Sequence, residues 1–448
     1  MGFSSYFKGI GAAVLGRPRF TVADTVARMF RYHSGLNSQN RNNVTPDPRG
    51  EDYLYSDQQE IHVTRTREQL RNFSVLSWMI DKHLDFVSTF DIQFKTGNDH
   101  LDDWLTELLA WWSQAENFDT GRRYSLFDYL RVNDAQKVIA GDMGTLKFQD
   151  GRVMGIVSDQ IDRPYNARGP NDNWFRGIKV DPVTWEPLRY SIRLRDVRNG
   201  DLSRDYIEVP AGQFYLHAER KHYPNLIRGI SPVSNSINSI QDCYEGINWH
   251  LVKMKVAAMF GVVMFENTGV ALPQIAVDPD TGEPIEAKKG AKYDVNLGRG
   301  ILALNMERGE DIKVVESKVP STETQTFYEV VVLIALKSLN IPFSFFREDF
   351  TNFYGSRGGL LHYLRSCVAP RQANIQFLNH HIKWRITKWI IDGFVKLPKG
   401  YDLRNLQWQA IPRGFPWWDP SKEIAGILAA IQAGLMTPQE ACLQTGTN

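Results

Sequence analysis

Apolar residues recur at three- and four-residue intervals from Leu70 through Phe73, Leu76, Met79, Ile80, Leu84 and Val87, which predicts one long amphipathic helix. A second helix is predicted over 100–116, with Leu101, Trp104, Leu105, Leu108, Leu109 and Trp112 on one side, and a third starts near 125. Beyond Gly141 the period shortens to two in GTLKFQDGRVMGIVSDQI, FRGIKVDPVTWEPLRYSIRLR and DYIEVPAGQFYLHAE, broken by Asp-Gly, Asp-Pro and Pro-Ala-Gly turns. That texture predicts an antiparallel β unit packed on the helices.

The helical period returns after Ser231-Pro232, an N-cap followed by proline at the first helical position. Val233, Ile237, Ile240, Tyr244, Ile247, Leu251 and Met254 then form a heptad stripe on a helix reaching Phe260. A stripe this narrow suits an ordinary core or a helical neighbour in a ring or bundle. GVVMFEN reads as a strand, a turn-rich stretch follows, and ILALNMERGEDIKVV reads as a further strand pair. A second long helix is predicted after Pro320, with Thr322 and Gln325 as a capping box, ending at Ile341-Pro342. Next comes FREDFTNFYGSRGGLLHYLR, residues 346–365, a charged and aromatic stretch hinged on glycines between two apolar segments. A long helix bending near Pro370 follows, and the tail carries a helix capped by Asp419 or Ser421, stopped at Gly434, and another opened by Thr437-Pro438.

A chain of 448 residues exceeds what one continuous core serves, so about three units are expected. With 52 Lys and Arg against 51 Asp and Glu, the formal charge of +1 excludes a broad basic face that grips nucleic acid tightly. The three cysteines, Cys243, Cys367 and Cys442, form no CxxC pair, which removes a disulfide framework and a cysteine zinc site and fits a reducing origin. No apolar run is long enough to span a membrane. The N-terminal twenty residues read as an arm or short helix rather than a targeting signal.

Catalytic patterns are absent. The glycine clusters at 298–300 and 355–359 lack the Lys-Ser/Thr of a phosphate loop, and there is no G-x-S-x-G elbow and no H-E-x-x-H pair. His380 and His381 are adjacent on a helix and point to different faces, so they cannot share a metal. Asp162, Asp172, Asp181, Glu186, Asp278, Asp280 and Glu283 mostly occupy turn-like contexts. The tryptophans at 104, 111, 112, 384, 389, 408, 417 and 418 suit core or interface packing better than base stacking. No catalytic residue, metal site or cofactor is expected.

The order of these parts resembles the lambda-type portal proteins of tailed bacteriophages. The likeness is carried by FDTGRRYSLFDYLR before the β unit, DQIDRP at 159–164, GIKVDPVTWEPLRYSI at 177–192 and FYLHAERKHYPNLIRGISPVSNSI at 214–237. FREDFTNFYGSRGGLLHYLR and WWDPSKEIAGILAAIQAGLMTPQEA carry it in the C-terminal third, so that it covers about 70–445. Asp142 departs from the Glu of many relatives, the N-terminal arm has no counterpart, and the short chain implies a reduced crown.

The resemblance implies an α+β portal fold. Its parts are an N-terminal arm and wing over 1–228 continued by 360–415, stem helices over 229–260 and 320–342, a small β-containing clip over 261–319, a tunnel loop over 343–359 and a short helical crown over 416–448. It further implies a homododecameric ring at the capsid vertex, assembled in the host cytoplasm and residing in the virion. Through that ring a separate terminase would package double-stranded DNA, gripped without sequence preference, and the DNA would later be ejected. The implied partners are the ring's own copies, the terminase large subunit, a head-tail adaptor, the major capsid protein and scaffold, with no membrane.

In that frame Arg347, Glu348, Asp349, Thr351, Asn352, Tyr354, Ser356 and Arg357 would face the DNA, on a hinge of Gly355, Gly358 and Gly359. Val233, Ile237, Ile240, Tyr244, Ile247, Leu251 and Met254 would pack the stems, and Lys288, Lys289, Lys292 and Arg299 would form the clip's docking surface. The residues alone leave two other readings open. One is another oligomeric virion protein of the capsid, tail or baseplate. The other is a metal-independent hydrolase or nuclease using scattered acids with His362, His380 or His381.

Overall fold

The computed structural model describes residues 50–445 except 57, 165–172, 197, 199, 260–261, 267–292, 297–300, 305–309, 315–321, 349–352, 403 and 415–419. The expected N-terminal arm therefore lies outside the described residues. The chain divides into two compact units, one running up to Ile237 and resuming at Leu336, the other Asn238–Ala335.

The first unit opens with α1 (Glu51–Ser56), α2 (Gln59–Asn72) and α3 (Ser74–Val87). The single long helix expected here is two helices, because Phe73 adopts an extended φ of −128° and ψ of 105°. Strand β1 (Phe90–Phe94) leads to α4 (Asp99–Trp112), capped by the Asn98 side chain, then α5 (Ala115–Phe118) and α6 (Leu126–Ala140), whose Ser125 cap accepts from Asp128 N. On α4, Leu101, Leu105, Leu108, Leu109 and Trp112 are buried as the spacing predicts, whereas Trp104 is exposed.

The β region forms two antiparallel sheets. In one, β2 (Asp142–Lys147) lies between β3 (Val153–Val157) and β8 (Phe214–Ala218). In the other, β4 (Trp174–Phe175), β5 (Ile178–Val180), β6 (Pro187–Arg195) and β7 (Leu202–Pro210) follow in order. Ile156, Ile178, Tyr190, Ile192, Val209 and Phe214 make the core of this region.

In the second unit, α7 (Ile237–Met259) and α8 (Thr322–Leu336) flank β9 (Val262–Glu266), β10 (Tyr293–Asn296), β11 (Ile301–Leu304) and β12 (Glu310–Val314). Strands β11 and β12 were expected to pair with each other. Instead β11 pairs with β10 and β12 with β9, both antiparallel. Helix α7 begins five residues after Pro232 rather than at it, since 232–236 form turns.

Back in the first unit, α9 (Phe343–Arg347), α10 (Phe353–Ser366) and α11 (Val368–Ile391) follow. The expected bend near Pro370 is a break at Cys367, which puts the proline in the first turn of α11, where its missing N–H costs nothing. Strand β13 (Trp408–Pro412) returns to pair with β1, from Phe90 opposite Pro412 to Phe94 opposite Trp408. The main core gathers α4, α6, β1, α11 and β13 around Trp112, Phe118, Phe377 and Trp389, each at most 1 % exposed. Burying each such ring contributes roughly 2–3 kcal/mol. The chain closes with α12 (Pro420–Gln432) and α13 (Pro438–Thr445), separated by Gly434 at φ 67°. Thr437 and Glu440 cap α13 reciprocally, with Glu440 N donating to Thr437 Oγ1 at 3.1 Å and Thr437 N to Glu440 Oε2 at 2.8 Å.

Candidate functional site

The segment between α9 and α10 is held at both feet by one helix. Phe345 on α9 stacks against Phe86 of α3 at 6.0 Å, and Tyr363 on α10 meets Phe86 edge-on at 4.9 Å. Phe345 and Tyr363 also meet each other at 5.7 Å, closing a three-ring clasp. His83 Nδ1 lies 3.2 Å from the Tyr363 hydroxyl, and Trp78 meets Phe346 edge-on. Arg371 Nε donates to Phe86 O at 2.8 Å, tying α11 to the same helix. At its start Glu348 takes a left-handed φ of 54° and caps α9 through its N–H to Ser344 O. Arg347 is exposed and its guanidinium lies 5.2 Å from the Phe343 ring.

A buried polar knot in the first unit joins Arg228 to Asp142. Arg228 donates from Nε to Asp142 Oδ2 at 2.6 Å and from Nη2 to Oδ1 at 2.8 Å, both side chains at most 1 % exposed. The remaining guanidinium donors reach Ser158 and the carbonyls of Ile161 and Arg176, so this charge is fully paired. Burial alone would raise the Asp142 carboxyl, but the Arg228 charge and hydrogen bonds outweigh it and hold it below the usual carboxylate range. Next to this pair the backbones of Gly141 and Gly229 touch: a Cβ on Gly229 would lie 1.9 Å from Gly141 O, and Gly141 has φ 93°. Neither position admits a side chain. Asp142 and the Arg228-Gly229 pair, far apart in the sequence, are thus one construction.

The second unit presents an apolar surface to solvent. Helices α7 and α8 meet where Tyr328 packs on His250 at 5.7 Å and on the bare backbone of Gly246. Elsewhere on α7, Trp249 is 71 % exposed, and Leu251 and Val252 are exposed too. On α8, Phe327, Val330 and Ile334 sit at helical spacing on one exposed face. Exposed large apolar groups in this density mark an interface.

A family model described as phage portal protein, lambda family, matches residues 38–371. The chain belongs to that family. Portal proteins of this family are structural proteins of the phage virion, and the mixed helix and sheet architecture agrees with the portal fold expected. Among solved structures, the portal chain is similar to a chain in the neck of an empty gene transfer agent (GTA) particle computed with C6 symmetry, at 12 % identity and a TM-score of 0.50 over 86 % of this chain and 93 % of that one. It is also similar to chains in the virion of the native GTA particle, at 11 % identity and TM-score 0.48, and in the native neck computed with C12 symmetry, at 13 % and 0.47, with the same coverage. No curated protein matches the chain.

The structure places the expected loop residues differently from the sequence reading. Gly355, Gly358 and Gly359 lie inside α10, so they are helical here and the hinge expected at them is not a loop. Ser356 is 6 % exposed and Arg357 pairs with Glu423 of α12 at 3.3 Å, which turns both away from a free surface. Asp349, Thr351 and Asn352 lie outside the described residues, as does the Tyr354 side chain. In the stem stripe, Val233 precedes the helix and is buried with Ile237 and Ile240, Tyr244, Ile247 and Met254 are half-buried, and Leu251 is exposed. The stripe missed Trp249 and Val252, although their apolar character was visible. Lys288, Lys289, Lys292 and Arg299 lie outside the described residues.

Among the described residues, those of the hydrolase reading do not converge. His381 is buried with Nδ1 2.8 Å from Phe377 O, His380 Nε2 is 2.9 Å from Lys147 Nζ, and His362 is exposed on α10. Asp162 pairs with Arg193 and Asp181 accepts from the N–H groups of Val183 and Thr184 in a turn. Among the described residues no group of His, Cys, Asp or Glu is arranged to hold a metal.

Proposed function

We propose that this portal chain assembles into a closed ring, a dodecamer, lining a channel at one capsid vertex through which a separate terminase drives double-stranded DNA and to which a tail adaptor binds. It acts as a scaffold and conduit and not as an enzyme. The observation that carries the reading is the exposed apolar surface of α7 and α8, on a chain whose family is shown: Trp249, Leu251, Val252, Phe327, Val330 and Ile334 need a partner, and a neighbouring copy supplies one through a heterologous interface closed by rotation. The likeness to a GTA neck chain computed with C6 symmetry supports an order that twelve copies satisfy.

In this ring the segment from Arg347 through Asn352 faces the DNA, its rigid feet clasped on α3. A near-neutral loop with both charge signs contacts phosphates weakly, which lets the duplex slide. Lys288, Lys289, Lys292 and Arg299 of the clip form the docking surface for the terminase large subunit and later the adaptor, while the wing meets the major capsid protein.

Val330→Asp places a charge on the exposed face of α8, where it disturbs no protomer core. We expect the variant to stay folded by circular dichroism and to sediment as protomers or short open oligomers. Rings at wild-type abundance would remove α8 from the interface.

A further inference from the structure

The first unit contains a cleft of about 340 Å³ between α2 and the β region, lined in part by Thr64, Arg67, Asp159, Asp162, Arg176 and Arg193. That size falls within the roughly 300–1,000 Å³ of small-molecule sites. Two of its carboxylates are already engaged. Asp159 accepts from Arg67 at 2.9 and 3.2 Å and from Arg195 at 3.0 Å, and Asp162 accepts from Arg193 at 3.0 Å.

Arg176 differs from its neighbours. Its Nη1 is buried and has no hydrogen-bond partner. Its backbone is pinned in place: φ is 45°, and its carbonyl accepts from Arg228 Nη1 at 2.8 Å. Burial, and then the adjacent Arg228 charge, lower its pKa to about 10, so it remains a cation at neutral pH. Arg228 cannot release Asp142 to it, since both Asp142 oxygens are taken by Arg228. The nearby Asp52 and Asp142 carboxylates are hydrogen-bonded to other groups, so the half-buried Arg176 side chain on the lining of this polar cleft is open to an acceptor from outside the chain.

We propose that this cleft binds an oxyanion of the phosphate or carboxylate type, with Arg176 as its principal donor and the Thr64 hydroxyl as a second. The planar fork of arginine matches two oxygens of such a group. Glu60, exposed on the lining, opposes the ligand and sets a limit on affinity.

Inorganic phosphate added to the full chain at constant ionic strength should raise the melting temperature with the logarithm of its concentration, by about 2 °C at concentrations well above Kd. Arg176→Met should abolish the rise, Arg176→Lys should weaken it, and Glu60→Gln should increase it, whereas Arg404→Met, an exposed control, should leave it unchanged. Titration calorimetry reads the same contrast directly, and Arg176→Lys serves where the methionine variant fails to fold. No effect, or an equal effect with and without the Arg176 guanidinium, would overturn the proposal. Cryo-electron microscopy of assembled particles separates the sources: isolated density in the cleft marks a free anion, density continuous with an acidic side chain marks a protein carboxylate, and an empty cleft contradicts both.

Discussion

Arg385 shows how closely single residues are fitted in the first unit. Its guanidinium lies 5.2 Å from the Trp389 ring and 5.8 Å from that of Trp112, and it presses on the backbone of Gly151. A Cβ at Gly151 would lie 1.6 Å from Arg385 Nη1, and its φ of 89° is itself unfavourable for any other residue. Gly151→Ala should therefore destabilise the first unit by about 2 kcal/mol or more, read as a lower urea midpoint. A wild-type midpoint would mean that Arg385 leaves its slot freely. The buried histidines set a pH response. Burial lowers His62 and His83 to about 4 and His381 to about 3. Below their unfolded value near 6.5 the unfolded chain takes up protons that the native chain refuses, so stability falls as pH drops from 6.5 toward 4. Replacing buried His381 by Leu should flatten this slope by about 1.4 kcal/mol per pH unit. An unchanged slope in urea unfolding between pH 6.5 and 4.5 would exclude it from the response.

At the scale of elements, the Phe86, Phe345 and Tyr363 clasp holds both feet of the segment that we place in the channel. Phe345→Ala should cost about 3–5 kcal/mol of local packing and raise amide exchange in α9 and in the part of α10 around Tyr363. Exchange unchanged there would show that the feet are held by something else. Replacing only Asp349–Asn352 with Gly and Ser spares α10, and particles carrying that change should form rings yet retain less DNA. Most elements were legible because their periodicity was strong, from α4 and α6 to the β region and the two long helices of the second unit. Other features depended on tertiary context. The break at Phe73 needs an extended residue that the apolar spacing does not reveal, and β13 finds β1 more than 300 residues away. Gly355, Gly358 and Gly359 read as a hinge because glycine disfavours helix by about 1 kcal/mol, yet the packing of Ser356 and the Arg357 to Glu423 pair accompany a helix there. Likewise Asp142 and the Arg-Gly pair stood apart in the sequence, and only the fold joins them into one buried knot.

The whole molecule combines a well-packed first unit, drawn from two separate stretches of the chain, with a second unit whose helices leave large apolar groups in water. A monomer gains nothing from exposing Trp249, Phe327, Val330 and Ile334 together, whereas a ring buries them at every interface. The near-zero formal charge fits a conduit better than a clamp, since a strongly basic lining would hold duplex DNA in place. The most direct measurement is electron microscopy of the purified full-length protein, averaging end-on views alongside an independent solution mass. Closed rings of twelve with a central opening wide enough for duplex DNA are the predicted result. A protein that stays monomeric both alone and when co-expressed with its capsid and scaffold partners would contradict the portal ring.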